Sequence, residues 1–318
     1  MNRSLFRFVA LLTLSVVACP LRGQDPKPER PQIPPPGERR ARPLPPGIKA
    51  LRDIEYVPGG GRSRSLDVYL PEKADAPLPL IVWIHGGGWS AGNKDGNQAL
   101  RLMESGFATA SINYRLSQEA IFPAQIEDCK AALRFLRSHA KEYNIDPTRI
   151  GVWGSSAGGH LVALVGTSGD VKALEGKDGD LGISSRVQAV CDWYGPTDLG
   201  QMGAQSGPDS KLDHNAPGSP ESRLLGGPVQ DKLDVVKVAN PITYVSKDDP
   251  AFLIMHGDRD PLVPLAQSKL LDAALKAAGV ESTLHVVEDG GHGGSGFDKP
   301  EAVQMIRDFF VKHLKAAK

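Results

Sequence analysis

The sequence has little cysteine, no excess of charge and no long apolar run, and each shortage removes a class of protein. Three cysteines in 318 residues cannot build the dense disulfide framework that replaces a core in small secreted domains. At this length, and with 40% hydrophobic residues, the chain can bury one large α/β core or two small ones. The 37 basic and 37 acidic residues cancel, and without a long basic run there is no electrostatic footprint for nucleic acid. The apolar run from Phe8 to Ala18 is too short to span a bilayer comfortably. Internal repeats, metal-ligand spacings and nucleotide fingerprints are also missing, so the expected chemistry uses neither metal nor cofactor. Asp178-Gly179-Asp180 lacks the other oxygen ligands of a calcium loop and reads as a solvated turn.

What the N-terminus does contain points to export. Arg3 and Arg7 precede the apolar run, which makes residues 1–18 a secretory signal cleaved after Ala18, for a periplasmic or secreted protein. Val16-Val17-Ala18-Cys19 also resembles a bacterial lipobox, which would make Cys19 a lipidated mature N-terminus attached to a membrane. Residues 19–48, with about ten prolines between Pro20 and Pro46, cannot form a core and read as an extended, disordered tether. Cys129 and Cys191 each fall in an apolar pattern and read as small buried hydrophobes.

From residue 49 to 318 the pattern is that of one domain. Leu51 to Val57 and Ser65 to Leu70 read as a hairpin at a sheet edge, joined through Gly59-Gly60-Gly61. Leu80-Ile81-Val82-Trp83-Ile84 is apolar at every position, the mark of a central parallel strand covered on both faces. Further strands are expected at Ala108 to Tyr114, Ile150 to Trp153, Gln188 to Trp193, Phe252 to His256 and Thr283 to Val287. Between them helices are expected at Asn97 to Ser105, Ala124 to Ala140, Ala157 to Gly166, Leu265 to Ala278 and Pro300 to Leu314. This alternation predicts a doubly wound α/β sheet. Gly195 to Asp249, rich in Gly, Pro and Asp, interrupts it as a cap-like insertion.

The chain is organised around Gly154-Ser155-Ser156-Ala157-Gly158, where a buried strand turns abruptly into a helix. Such an elbow lifts the Ser156 hydroxyl above the sheet edge, where a nucleophile is needed. A serine hydroxyl is barely ionised at neutral pH, so it requires an imidazole to take its proton and a carboxylate to hold that imidazole. Of the eight histidines, His292 lies in a glycine-flanked loop between the last strand and the last helix, free to approach the elbow. Asp260, just past a strand, is the preferred acid; Asp258 and Asp198 are its rivals. His85-Gly86-Gly87-Gly88-Trp89 follows the central strand directly. The missing side chains there let backbone N–H groups of Gly87 and Gly88, with that of Ala157, converge on an oxyanion, and His85 braces the loop. Trp89, Tyr114, Trp193 and Tyr194 are candidate pocket walls.

Taken together, His85 to Trp89, Asn113-Tyr114-Arg115, Gly154 to His160, His256 to Pro264 and Gly291-His292-Gly293 resemble the α/β-hydrolase esterase family, particularly its bacterial feruloyl-esterase-like branch. The resemblance runs from about Ile54 to Leu314. It implies an eight-stranded, mostly parallel sheet with one antiparallel strand, Ser156 as nucleophile, Asp260 as acid, His292 as base, and hydrolysis of carboxylic esters. The substrates it implies are hydroxycinnamoyl or acetyl esters of plant polysaccharides. Ser155, where hormone-sensitive-lipase-like relatives carry Asp before the nucleophile, argues against that branch. An aryl-formamide amidase or peptidase using the same residues, and a non-catalytic carbohydrate-binding protein, are the alternative readings.

Overall fold

A computed structural model describes residues 44–169 and 171–315 of the chain. The signal segment, Cys19 and the tether as far as residue 43 lie outside the described residues. Eight strands form one sheet: β1 (Ile48–Glu55), β2 (Ser65–Pro71), β3 (Leu78–Ile84), β4 (Ala108–Ile112), β5 (Ile145–Ser155), β6 (Ala189–Trp193), β7 (Ala251–Gly257) and β8 (Ser282–Val287). Their order is β1-β2-β4-β3-β5-β6-β7-β8. β2 runs antiparallel to both its neighbours, and every pair from β4 to β8 is parallel. This is the expected α/β-hydrolase sheet with its one reversed strand.

The continuous apolar runs follow from burial on both faces, since successive side chains point to opposite sides. Leu80, Val82, Ile84, Ile150, Val152, Phe252 and Ile254 face one core. There they meet α1 (Ala124–Ser138) and α2 (Ala157–Thr167) through Ile126, Leu133, Leu161 and Leu164. That core also takes Leu271 and Leu275 of α6 (Leu265–Ala277). The alternate residues Ile81, Trp83, Trp153, Leu253 and Met255 face a second core closed by α7 (Pro300–Leu314), with Ile306, Phe309 and Phe310 packed inward. The expected helix at Asn97 to Ser105 is a 3-10 helix, Gln98–Ser105, capped by the Asn97 side chain and ended by Gly106 at φ 74°. Its Leu102 belongs to the second core. Cys129 and Cys191 are free and buried, one in each core. Among the described residues no helix is long and apolar enough to cross a membrane.

The parallel registers Ile84↔Gly154, Ser155↔Trp193 and Trp193↔Met255 bring the C-terminal ends of β3, β5, β6 and β7 to a common edge. Ligands of open α/β sheets bind outside that edge. The residues 195–249 leave from it and contain three short helices: α3 (Met202–Gln205), α4 (Pro220–Leu225) and α5 (Leu233–Ala239).

One of the carboxyls buried within this framework has an oxygen without a partner among the described residues. Asp192 of β6 is fully inaccessible; its Oδ1 accepts from the Gly195 N–H at 2.9 Å, and its Oδ2 has no partner among the described residues. Burial raises its pKa from 3.8 to about 7. A raised carboxyl pKa means that the folded state holds the proton more tightly than the unfolded one. Stability from this group is therefore full below the unfolded pKa and is lost as pH rises toward the folded value. Asp192→Asn should remove that loss, on the order of a few kcal/mol across the whole window. Denaturant unfolding at pH 5 and pH 8 checks it: the variant should gain on the wild type with rising pH, and parallel profiles would refute the assignment.

Candidate active site

Ser156 sits between β5 and α2 at φ 56°, ψ −122°, a conformation that costs a non-glycine residue free energy and needs its surroundings to hold it. The two flanking glycines are steric requirements. A Cβ on Gly154 would lie 2.3 Å from the carbonyl oxygen of Gly158, and one on Gly158 only 2.1 Å from that of Ile84. With both absent, α2 presses onto β3 and β5 while the serine hydroxyl projects above the sheet edge.

Above it stands His292, in the loop that follows β8. Its Nε2 is 2.9 Å from Ser156 Oγ, and its Nδ1 is 2.7 Å from Asp260 Oδ2. The carboxylate accepts only, so Nδ1 carries the hydrogen and Nε2 is left to accept from the serine. Asp260 is itself fixed, because its Oδ1 accepts from the backbone N–H groups of Leu262 (2.8 Å) and Val263 (2.9 Å). Burial alone would raise its pKa, but hydrogen bonds from His256 and His292 hold it well below the usual carboxylate range. His256 Nε2 donates to the Val263 carbonyl at 2.9 Å and lies 3.4 Å from Asp260 Oδ2. It is a second, wholly buried histidine behind Asp260.

Neither rival carboxylate has a hydrogen bond to His292 among the described residues. Asp198 accepts from Gly200 N, Gln201 Nε2 and Asn240 Nδ2 in a surface turn, and Asp258 is exposed. Other histidines are likewise engaged away from Ser156. His160 accepts from Trp89 Nε1 and donates to the Ala239 carbonyl; burial drops its pKa to about 4 and keeps it neutral. His139 stacks on Phe135, and His313 lies 3.3 Å from Glu281.

The loop after β3 approaches the serine from the other side. Gly87 and Gly88 have φ of 114° and 57°, and a Cβ on Gly87 would meet the Ala91 carbonyl oxygen at 2.3 Å. No hydrogen bond among the described residues uses the N–H groups of Gly87, Gly88 or Ala157. His85 Nδ1 contacts the Gly86 carbonyl at 2.8 Å, and the ring is buried, which lowers its pKa to about 4. It holds the loop from beneath, as expected of a brace.

These parts line a cavity of about 560 Å³, within the range of small-molecule sites. Trp89 and Tyr194 contribute to its wall. Tyr194 lies over His292 with ring centroids 4.5 Å apart. Tyr114 and Trp193 do not line it, which corrects the expectation for both. Tyr114 stacks on His85 at 4.4 Å and donates its hydroxyl to the His85 carbonyl at 3.0 Å; Trp193 is clasped edge-on by Trp153 and Trp83 in the second core. The neighbouring Arg115 grips Asp128 of α1 through Nε and Nη2, both at 2.8 Å. The Asn113-Tyr114-Arg115 stretch therefore supports the loop and α1 from below.

The wall also includes residues that the sequence did not single out as pocket residues: Ser90 after the glycine loop, Pro196, Leu212, Pro220 and Glu221 from the insertion, and Leu262 and Val263 from the Asp260 loop. Apolar residues in a stretch without periodicity give no hint of which face they share. Asp178 and Asp180 serve locally, Asp178 pairing with Arg64 at 3.2 Å and Asp180 accepting from the Gly182 N–H; among the described residues no group of three metal-capable side chains occurs.

With this geometry the chain has clear relatives. Residues 66–275 match the BD-FAE family model. Esterase LipQ of Mycobacterium tuberculosis is 34% identical over 239 residues, covering 73% of this chain and 54% of its own length. The chain thus spans about half the length of this curated relative. Among solved structures, a truncated carbohydrate esterase from gut microbiota is 38% identical with a TM-score of 0.77, covering 83% of this chain and 96% of its own. The acetyl ester-xyloside bifunctional hydrolase of Caldicellulosiruptor lactoaceticus is 30% identical with a TM-score of 0.66, covering 78% and 87%. A family match across two thirds of the chain, on a sheet of the expected order, makes the protein a member of the BD-FAE family of α/β-hydrolase esterases.

Proposed function

We propose that the chain is a serine carboxylic-ester hydrolase acting on short-acyl or hydroxycinnamoyl esters of the kind carried by plant polysaccharides. One observation carries the reading: the unbroken line of hydrogen bonds from Ser156 Oγ through His292 to Asp260, at 2.9 and 2.7 Å, in a cavity lined by Gly87, Gly88 and Ala157, whose N–H groups are unengaged among the described residues. As the ester binds, Ser156 Oγ attacks the carbonyl carbon while His292 Nε2 takes the hydroxyl proton. The oxygen that gains charge is met by the N–H groups of Gly87, Gly88 and Ala157, which need no reorganisation. Asp260 stabilises the imidazolium, and His292 then delivers the proton to the departing alcohol. A water deprotonated by His292 cleaves the acyl-enzyme and restores the serine.

The polysaccharide part of the reading draws on the carbohydrate esterase and acetyl ester-xyloside hydrolase among the structural relatives. An exported enzyme, as the leader of residues 1–18 would make it, would meet such substrates outside the cell. A turnover panel on the purified domain tests both levels. It compares p-nitrophenyl acetate, butyrate and a long-chain ester with methyl ferulate, acetylated xylan and an aryl formamide. Fast release from ferulate or acetylxylan is the expected result. Activity on short activated esters alone would remove the polysaccharide assignment, and formamide turnover above ester turnover would make the chain an amidase.

A further inference from the structure

Among the described residues, Glu221 is the only carboxyl group in the cavity wall. It lies on α4, whose Pro220 packs against the loop after β3: a Cβ on Gly88 would meet Pro220 Cβ at 3.1 Å. Glu221 is 2% exposed and His214 1% exposed. The two are joined by a 2.9 Å contact between His214 Nδ1 and Glu221 Oε1. Glu221 Oε2 and His214 Nε2 have no hydrogen-bond partner among the described residues. A buried polar atom without a partner costs stability, and native structures seldom leave one without a reason. The same wall carries the apolar Trp89, Pro196, Leu212, Pro220, Leu262 and Val263, together with the hydroxyl-bearing Ser90, Ser155 and Tyr194. The intervening turn is firmly tied: Ser219 Oγ donates to the His214 carbonyl and accepts from the Ser222 N–H, each at 3.0 Å, and Ser222 Oγ donates to the Ala216 carbonyl at 2.8 Å. The pair is thus held in place at the cavity rather than free to seek another partner.

We propose that Glu221 determines specificity by accepting, through Oε2, a hydrogen bond from a hydroxyl group of the ester substrate, with His214 as the residue that positions its carboxyl group. The inference rests on the hydrolase reading above. A carboxylate oxygen accepts, so a substrate hydroxyl that donates to Oε2 satisfies an atom that a methylated or unsubstituted analogue leaves as unpaired as it was. Such a site discriminates far more sharply than an apolar pocket can. Two parts of a substrate could supply the hydroxyl, the sugar beside an O-acyl group or the phenolic ring of a hydroxycinnamoyl group, and the chemistry recognised is the same.

The test reads a ratio. kcat/KM is measured for two matched pairs: a mono-O-acetylated methyl xyloside against the same acetate with its free hydroxyls methylated, and methyl ferulate against methyl 3,4-dimethoxycinnamate. In the wild type one pair should favour the hydroxyl-bearing ester by about tenfold or more, and in Glu221→Leu and Glu221→Gln that preference should collapse to within about twofold. Glu221→Gln keeps the volume and an oxygen for His214 while placing a donor where Oε2 accepted, so it serves where the leucine variant fails to fold. His214→Gln should lower the same ratio. A preference caused by methyl bulk alone would survive in all three variants, and that result overturns the proposal while leaving the hydrolase reading intact. No turnover of any ester by the wild type would remove both. The pair whose ratio collapses identifies whether the sugar or the acyl group meets Glu221.

Discussion

Ser156→Ala should lower kcat/KM by about 10⁴-fold or more on every ester that the wild type cleaves. The substitution removes one oxygen and nothing else that shapes the site. Gly87, Gly88 and Ala157 still present their N–H groups, His292 still donates to Asp260, and the cavity keeps its wall. What remains is catalysis by binding and oxyanion stabilisation alone, which in serine hydrolases leaves a small residual rate. The elbow should persist, because alanine and serine share the same Cβ and tolerate φ 56° equally. Thermal melting should therefore change little, which separates loss of chemistry from loss of fold. A fluorophosphonate probe adds a second readout: one equivalent bound to the wild type and none to the variant. Wild-type turnover or labelling in Ser156→Ala would end the nucleophile assignment.

The parts that the sequence made readable are those where geometry leaves few choices of residue. Leu80 to Ile84 is apolar throughout because both faces of β3 are buried, and no surface strand tolerates that. Gly154 and Gly158 are readable because any side chain there would collide with backbone within 2.3 Å. The aromatic residues were harder. Trp89 and Tyr194 reach the cavity while Tyr114 and Trp193 support it from below; all four are large, apolar and next to strand ends, and only the backbone turn decides which way each ring goes. Trp89 and Tyr194 are the pair with positive φ, 53° and 43°, a reversal that the residue names do not announce. Buried charge was least legible. Lys94 bridges Asp67 at 2.6 Å and Asp53 at 2.7 Å beneath the sheet edge, and His214 meets Glu221 across an aperiodic turn. A lysine or glutamate in isolation reads as surface, and its partner lies far along the chain or in a segment without pattern.

Asp260→Asn should cost about 10⁴-fold in kcat/KM at neutral pH, and the reason lies in the orientation that the backbone imposes. Leu262 and Val263 both direct N–H groups at Oδ1, at 2.8 and 2.9 Å. The amide oxygen of an asparagine must stay there, since its NH₂ would oppose two donors. The NH₂ then takes the place of Oδ2, 2.7 Å from His292 Nδ1. His256 cannot correct this, because its Nε2 hydrogen is held by the Val263 carbonyl and also points toward that position. Facing a donor, His292 Nδ1 must become the acceptor, and the ring hydrogen moves to Nε2. That hydrogen now points at Ser156 Oγ, 2.9 Å away, so the imidazole can no longer take the serine proton. The counter-charge for the imidazolium is lost as well. Turnover of p-nitrophenyl acetate, with circular dichroism to confirm folding, measures the effect. A loss of less than about tenfold would mean that another carboxylate, Asp258 or Asp198, orients the imidazole during turnover, because a neutral amide at position 260 leaves no other means of preserving the productive tautomer.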